Sequence, residues 1–532
     1  MEKLSLKEKI GYALGDGAAN IAWRGVATFL FIFYTDVFGL NPAVVGVLFL
    51  IARFGDGIID ILMGVVCDRT NSKYGKFRPW ILWTAIPLGI TLSMLFTTPN
   101  LSPTAKVVYA YATYLLFFLI YTANNIPYGA LMAVMSPDDK ERTSLGSYRM
   151  VGAFTGGMVV QGALLFLVAH FGNINPTINV EKLDAKKYEV TVSTHEDIKN
   201  VNIKTKDGIA LFTWADTTAV KQKSNVPTVG KSFSMEADKP YSFIVTGEEN
   251  LESKNISIID QKRGYSSAIY IMSIFLSLFL MVTFATTKER VQPPKDQETN
   301  LLKDLKDLVK NRPWIVLLFI GILFNVYNSI KQGIVVIYFS HYLHNQFLAA
   351  SYMVGLMLAS IAGAMITSPL GKKYGKRNLF IGALIFSGFV NALLALCGTG
   401  DTIGIFTIGI ISEFGAAVFP TLFFAMLGDA ADYSEFKNGR RATGLIYSAG
   451  SFATKFGGGI AGAIIGWVLA AYGYNGQNEV SIQGAVPGII MLMSWIPTVV
   501  AVITAGVMAL YPLDQHKMDN ITLELNSRRA KE

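Results

Sequence analysis

Apolar runs of membrane-spanning length dominate this chain and constrain what it can fold into. Crossing the hydrocarbon core takes about 20 mostly apolar residues. Such segments lie near 10–36, 42–66, 79–98, 105–134, 144–171, 263–287, 314–340, 346–369, 378–397, 402–428, 442–472 and 484–511. That makes about twelve spans, in two sets of six. Composition agrees: 52% of the residues are hydrophobic and 16% are charged, against roughly 25% charged in soluble proteins. A soluble enzyme, a disordered chain and a coiled coil are excluded. The net charge of +8 reads as loop bias in a membrane protein, with no nucleic acid as partner. Cys67 and Cys397 offer neither a disulfide framework nor a metal motif. Behind the polar opening Met1–Lys9 no cleavable signal peptide is expected.

Loop charges set the orientation. Arg69, Lys73, Lys76 and Arg78 follow segment 2, and Lys140 and Arg142 follow segment 4. Lys372, Lys373, Lys376 and Arg377 follow segment 8, and Lys437, Arg440 and Arg441 follow segment 10. The opposite loops at 38–42, 398–401 and 472–479 carry neither Lys nor Arg. Both termini are therefore expected in the cytoplasm, with the protein multi-pass in a cell membrane of the bacterial inner-membrane type.

The domain plan follows. Residues 1–171 hold helices 1–5, and 172–262 form an extracytoplasmic insert. Helix 6 takes 263–288, a cytoplasmic linker 289–313, the C-terminal six-helix bundle 314–512 and a cytoplasmic tail 513–532. Alternating runs at Tyr188–Val192, Val201–Ile203 and Tyr241–Val245 make the insert β-rich, with His195 a surface residue. In the linker, Leu301, Leu302, Leu305, Leu308 and Val309 recur at helical spacing and predict an amphipathic helix.

Ionisable groups inside a span are expensive and mark function. Segment 1 carries Asp16 and Arg24 with Asn20 between them, and segment 2 carries Arg53, Asp56 and Asp60. Lys331, Glu413 and Lys455 lie in segments 7, 10 and 11. Lys331 is expected near the outer interface, where it can snorkel. Asn20, Arg24, Asp56, Glu413 and Lys455 fall near mid-depth and come from both halves, the arrangement of a transporter site. Asp56 and Asp60 share one helix face, and two carboxylates there need a proton, a cation or a basic partner. Tyr121, Thr122, Asn124 and Asn125 of segment 4 could complete an oxygen site for Na⁺ or a shared proton. The structural alternative is a salt bridge from Asp56 to Arg53 or Lys455. Toward the cytoplasmic face, Arg142 and Arg149 of one half and Asp429, Asp432, Glu435 and Arg441 of the other suggest an inner gate that breaks and reforms, or else solvated helix ends.

A repeat ties the halves together. Gly64 through Lys76 ends in Tyr74-Gly75-Lys76, and Gly371 through Arg377 contains Tyr374-Gly375-Lys376, each after the second helix of its half. This resembles the basic loop of the major facilitator superfamily. More specifically, the chain resembles the glycoside–pentoside–hexuronide cation symporters. The likeness is carried by Lys9–Tyr12, Tyr34–Gly39, Ala52–Asp60 with Met63-Gly64, Asp68–Thr70 and Tyr74–Pro79. It continues through Asn125–Pro127, Asp432-Tyr433 with Glu435, and Tyr447-Ser448 with Lys455.

The resemblance implies an all-α fold of two six-helix bundles and sugar symport with H⁺, Na⁺ or Li⁺. It implies cation binding at Asp56, Asp60 and Thr122, coupling by Lys455, and sugar contacts from Asn20, Tyr121, Asn125 and Arg149. The chain departs from melibiose carriers at Asn20 and Asn125, where they have Asp, and at Gly129 and Pro420, where they have Trp. Arg24 and Glu413 are additions. Losing carboxylates and gaining Arg24 favours a uronate-bearing sugar, since Arg recognises carboxylates bidentately. The alternative is an Arg24–Glu413 pair and a neutral oligosaccharide. The expected agent is a monomer in the bilayer with a sugar or uronide as partner, and with no cofactor beyond the coupling ion. A membrane sensor or scaffold, or a lipid carrier of the same fold, is the rival reading. No nucleophile motif or P-loop suggests an enzyme.

Overall fold

The computed structural model describes residues 4–136, 139–184, 186–205, 211–214, 233–246, 250–253, 256–290, 308–438 and 443–529; the side chains of Asp56 and Arg142 are among those left undescribed. The first half contains α1 (Leu6–Ile32), α2 (Pro42–Arg69), α3 (Arg78–Leu95), α4 (Pro103–Met135), α5 (Asp139–Gly172) and α6 (Gln261–Thr286). The second contains α7 (Arg312–Ile337), α8 (Gln346–Tyr374), α9 (Lys376–Ala392), α10 (Thr402–Ala416) and α11 (Val418–Asn438). It continues with α12 (Thr443–Ala471), α13 (Glu479–Met493), α14 (Trp495–Ala509) and α15 (Gln515–Arg529). Among the described residues nine helical stretches are long and apolar enough to cross a membrane, with α10–α11 and α13–α14 each counted as one. Helices α1 and α2 are not among the nine, and they are the ones that carry Asp16, Arg24, Arg53, Asp56 and Asp60. A helix satisfies its own backbone, which lipid cannot do.

Helix starts follow the local chemistry. Ser5 and Glu8 form a reciprocal capping box at α1. Asn41 caps α2 and Ser102 caps α4, each followed directly by Pro. Large apolar side chains such as Ile274, Phe275, Phe389 and Val499 point outward and are exposed, which suits a lipid-facing surface.

Between α5 and α6 lie the strands of the insert. The first is β1 (Thr177–Asp184), then β2 (Lys187–Ser193), β3 (Ile198–Thr205), β4 (Leu211–Trp214), β5 (Phe233–Met235), β6 (Tyr241–Thr246) and β7 (Ile256–Asp260). They form antiparallel sheets in the orders β1-β2-β6-β4 and β5-β3-β7. The alternating runs in the sequence fall in β2, β3 and β6. Tyr188, Val190 and Val192 point into one small core with Phe243 and Val245, as the period-2 pleat requires. His195 is exposed beside Asp238. Of the expected linker helix, residues 291–307 lie outside the described residues.

The repeat is visible in the backbone. Gly75 and Gly375 both take a positive φ, at 105° and 77°, a conformation that costs any side-chain-bearing residue. Glu289, just past α6, accepts the backbone N–H groups of Lys76, Phe77 and Arg78 at 2.8–2.9 Å and so pins the first turn. A second repeat escaped the sequence reading. Helices α1 and α7 both end in a five-residue π turn, Phe33–Val37 and Tyr338–Tyr342. Six residues after the start of each turn stands a positive φ, at Gly39 (80°) and His344 (54°).

Packing distinguishes the two ends of the molecule. One buried apolar cluster joins the first half to the part of the second half nearest the insert, through Ile334, Tyr338, Ile465 and Tyr474. At the far end the second half holds a separate cluster around Leu317, Phe423 and Met508. The halves are thus fused on the insert side.

Candidate functional site

Helices α2 and α12 meet along a seam between the halves. Glycines let the backbones approach, as at many helix crossings in membranes. A Cβ on Gly466 would lie 2.4 Å from the Pro42 carbonyl oxygen, and one on Gly459 would lie 2.5 Å from Cγ of Arg53. Further along the seam, Lys455 forms an ion pair with Asp60; their side chains are 16% and 18% exposed. The salt bridge considered from sequence was to Asp56, whose side chain lies outside the described residues; the described bridge forms on Asp60. Arg53 is buried, its guanidinium held between the rings of Trp23 and Phe118 at 4.4 and 4.3 Å. Such stacking replaces part of the hydration that burial removes.

Tyr121 lies against Trp23 at 5.8 Å and stacks on Phe117. Trp23 is a residue that sequence reasoning did not single out, yet it joins Arg53 and Tyr121 into one half-buried aromatic face. Thr122 is buried. Asn124 donates to Thr84 Oγ1 at 2.7 Å and is turned toward α3, whereas Asn125 is half-buried.

Helices α1 and α5 pack as closely. A Cβ on Gly156 would lie 2.3 Å from the Gly17 carbonyl oxygen. This approach brings Arg149 Nε to 3.2 Å from Asp16 Oδ2. Arg149, expected as a sugar contact and a gate residue, is thus engaged by a carboxylate of its own half. The Asn20 side chain donates to the Asp16 carbonyl at 3.0 Å.

In the second half Lys331 does not snorkel. Its side chain is 3% exposed, and Nζ donates to Tyr327, Ser412 and Glu413 at 3.1, 3.3 and 3.3 Å. Glu413 also accepts from Ser360 at 2.8 Å. The considered Arg24–Glu413 hydrogen bond is not made: Arg24 crosses the interface and donates from Nη1 to Gln332 Oε1 at 3.0 Å. A Lys one residue before Gln332 takes Glu413 because it shares a bundle with it. Nε of Arg24 is buried without a hydrogen-bond partner among the described residues.

The expected inner gate is not joined at Asp429. Both its oxygens accept from Lys376 of the same half, each at 2.7 Å. The side chain of Arg142 and the whole of Arg441 lie outside the described residues, as does the side chain of Asp56. On the insert side, by contrast, the halves are tied by Asp36, His341 and Tyr474, none of which was proposed from sequence. Asp36 lay within a quoted motif, but nothing in the sequence marked its partners.

A multi-helix body with charged pairs across a seam between two halves is the geometry of a carrier. The sequence profile of the MFS/sugar transport protein family matches residues 11–195 and 243–515. The chain belongs to that family. Its gap, 196–242, falls within the insert. A candidate glycoside/cation symporter of Escherichia coli (strain K12) is 28% identical over 530 residues, covering 100% of this chain and 97% of that one. The isoprimeverose transporter of Lactiplantibacillus pentosus is 29% identical over 529 residues, covering 99% and 92%. Among solved structures, a bacterial homologue of the human lysosomal transporter Spinster, inward-facing and unoccupied, superposes with a TM-score of 0.63 at 12% identity, covering 95% of each chain. That likeness supports the major facilitator fold. The protein is an all-α, multi-pass membrane transporter of the sugar-transport branch.

Proposed function

We propose that the protein is a cation-coupled sugar symporter working by alternating access. The Lys455–Asp60 pair carries this reading, because it links a carboxylate of one half to an ammonium of the other inside the helical body. Both charges are partly desolvated, so neither can be left alone at low cost. A cation or proton arriving at Asp60, in a site proposed to draw also on Asp56, Thr122 and Asn125, would release Lys455. Binding in one half is thereby converted into a change at the interface. Asn20, Arg24, Tyr121 and Lys455 are the residues proposed to meet the solute, and Trp23 joins them. Arg149 is better read as fixing Asp16. The loops rich in Lys and Arg support a bacterial inner membrane with both termini in the cytoplasm and the insert outside.

An acidic sugar is the favoured solute. The partnerless Nε of Arg24 supports that choice, since a buried guanidinium nitrogen gains most from a carboxylate. The test is uptake into proteoliposomes of a panel of uronides and their neutral parent sugars, with H⁺ and Na⁺ gradients imposed separately. Gradient-driven accumulation of a sugar, lost in Asp60→Asn, is the expected result. No sugar accumulating under either gradient would refute symport. Equal affinity loss for both sugar types in Arg24→Gln would remove only the acidic preference.

A further inference from the structure

The two π turns form a matched pair. Counting from Phe33 and from Tyr338, the fourth residue of each is the polar one that reaches the other half: Asp36 and His341. His341 Nε2 lies 2.7 Å from Asp36 Oδ2. Tyr474, in the loop after α12, donates to Asp36 Oδ1 at 2.7 Å and its oxygen lies 2.8 Å from His341 Nε2. Thr35 adds a donor at 2.8 Å to the same Oδ1, and Gln477 donates to the Asp36 carbonyl at 3.4 Å. Both carboxylate oxygens are thus hydrogen-bonded. His341 and Tyr474 are 4% and 3% exposed.

We propose that Asp36, His341 and Tyr474 are the latch that holds the insert side shut. Three observations converge on it. The contacts cross between the halves, whereas Arg149–Asp16, Lys331–Glu413 and Lys376–Asp429 each stay within one half. The latch sits where the shared apolar cluster joins the two halves, so opening that side must separate it. Its two main members occupy the same register of symmetry-related turns. Separating the two halves on this side therefore pulls both members away from each other at once. A π turn widens the helix end and swings that fourth side chain toward the partner half; such turns recur at functional positions. Once apart, Asp36 and His341 are rehydrated at the mouth, which limits the cost of opening. A cluster of this strength favours the closed side without locking it.

This rests on the alternating-access reading, but its test needs no substrate. Spin labels at Thr104→Cys, at the start of α4, and Ile403→Cys, at the start of α10, straddle the two halves on the insert side, and both positions are exposed. The background is Cys67→Ala with Cys397→Ala. Pulsed dipolar measurements in lipid nanodiscs should show a predominantly short distance. Asp36→Asn, His341→Gln and Tyr474→Phe should each raise the longer-distance population, by about 10-fold relative to the closed one, the size expected for one charge-assisted hydrogen bond. The exchanged pair Asp36→His with His341→Asp should return the short distance. Tyr474→Phe removes a single hydroxyl and keeps the test valid if a charge variant fails to fold. The proposal is overturned if folded single variants keep the wild-type distribution, or if the exchanged pair opens as far as the singles do.

Discussion

Replacing Lys455 by Met probes the seam most sharply. The pair it forms with Asp60 is mostly buried, at 16% and 18% side-chain exposure. Two unit charges about 4 Å apart at an effective dielectric near 20 attract by about 4 kcal/mol. Desolvation and the remaining solvent contact offset roughly half of that, leaving about 2 kcal/mol. In the wild type a cation at Asp60 must compete against this attraction. Lys455→Met removes the competitor, so a coupling cation should bind about 30-fold more tightly, the factor that corresponds to about 2 kcal/mol. The gain is useless for pumping, because no charge then reports the occupancy of Asp60 to the other half. Cation affinity can be read from the cation dependence of thermal unfolding in detergent. Coupling can be read from accumulation against counterflow in proteoliposomes. We expect tighter cation binding and lost accumulation. In Asp60→Asn with Lys455→Met the seam should fold well and show no cation response. Weaker cation binding in Lys455→Met, or full accumulation in the double variant, would refute the competition between Lys455 and the cation.

Other consequences follow from single contacts. Gly459→Ala places a Cβ 2.5 Å from Arg53 Cγ and 3.3 Å from the Phe49 carbonyl; overpacking of this kind costs about 1–3 kcal/mol and should lower the unfolding temperature in detergent. Burial pushes the Glu8 carboxyl up, but Arg290 at 2.7 Å and the capping bonds from Ser5 outweigh it and the net shift is downward from 4.5. The tie between α1 and the end of α6 is then fully present above pH 4.5, and should be lost as pH falls through the lowered value. Hydrogen exchange in the first turn of α1 should rise over that window in wild type and be high throughout in Glu8→Gln. Replacing 172–262 with a short Gly/Ser linker should leave folding and uptake largely intact, since the sheets close around a core of their own; a folded but inactive product would place the insert on the solute path or the outer gate.

Much of this molecule was legible in the sequence, because lipid imposes length and polarity on every span. The apolar segments, the basic turns at Gly75 and Gly375, and the alternation that builds β2 and β6 all have local causes. The partners of the buried charges were less legible. Spacing along a helix shows that Asp56 and Asp60 share a face, but not which of several cations in distant helices approaches them. Arg149 was expected to meet sugar, and its contact with Asp16 went unforeseen, because glycines in α5 allow an approach that no residue-type count would reveal. Lys331 was expected near the interface and instead sits beneath Tyr327, Ser412 and Glu413. The insert-side cluster was hidden for a different reason. Its symmetry lies in two π turns whose shared pattern, Phe33-Tyr34-Thr35-Asp36 against Tyr338-Phe339-Ser340-His341, is too short to stand out without the backbone geometry, and its third member Tyr474 comes from a loop more than a hundred residues away.

The central claim is that cation and sugar move together. An inward sugar gradient should therefore drive the cation with it, with no cation gradient imposed. In proteoliposomes, adding the transported sugar should draw H⁺ or Na⁺ inward with it in wild type, read by an ion-sensitive dye inside the vesicles, and no ion should enter in Asp60→Asn; a neutral sugar adds an inward positive current, whereas a uronide paired one-to-one with the cation carries none. Sugar entry without any current or cation movement, in a wild-type protein that transports, would contradict it.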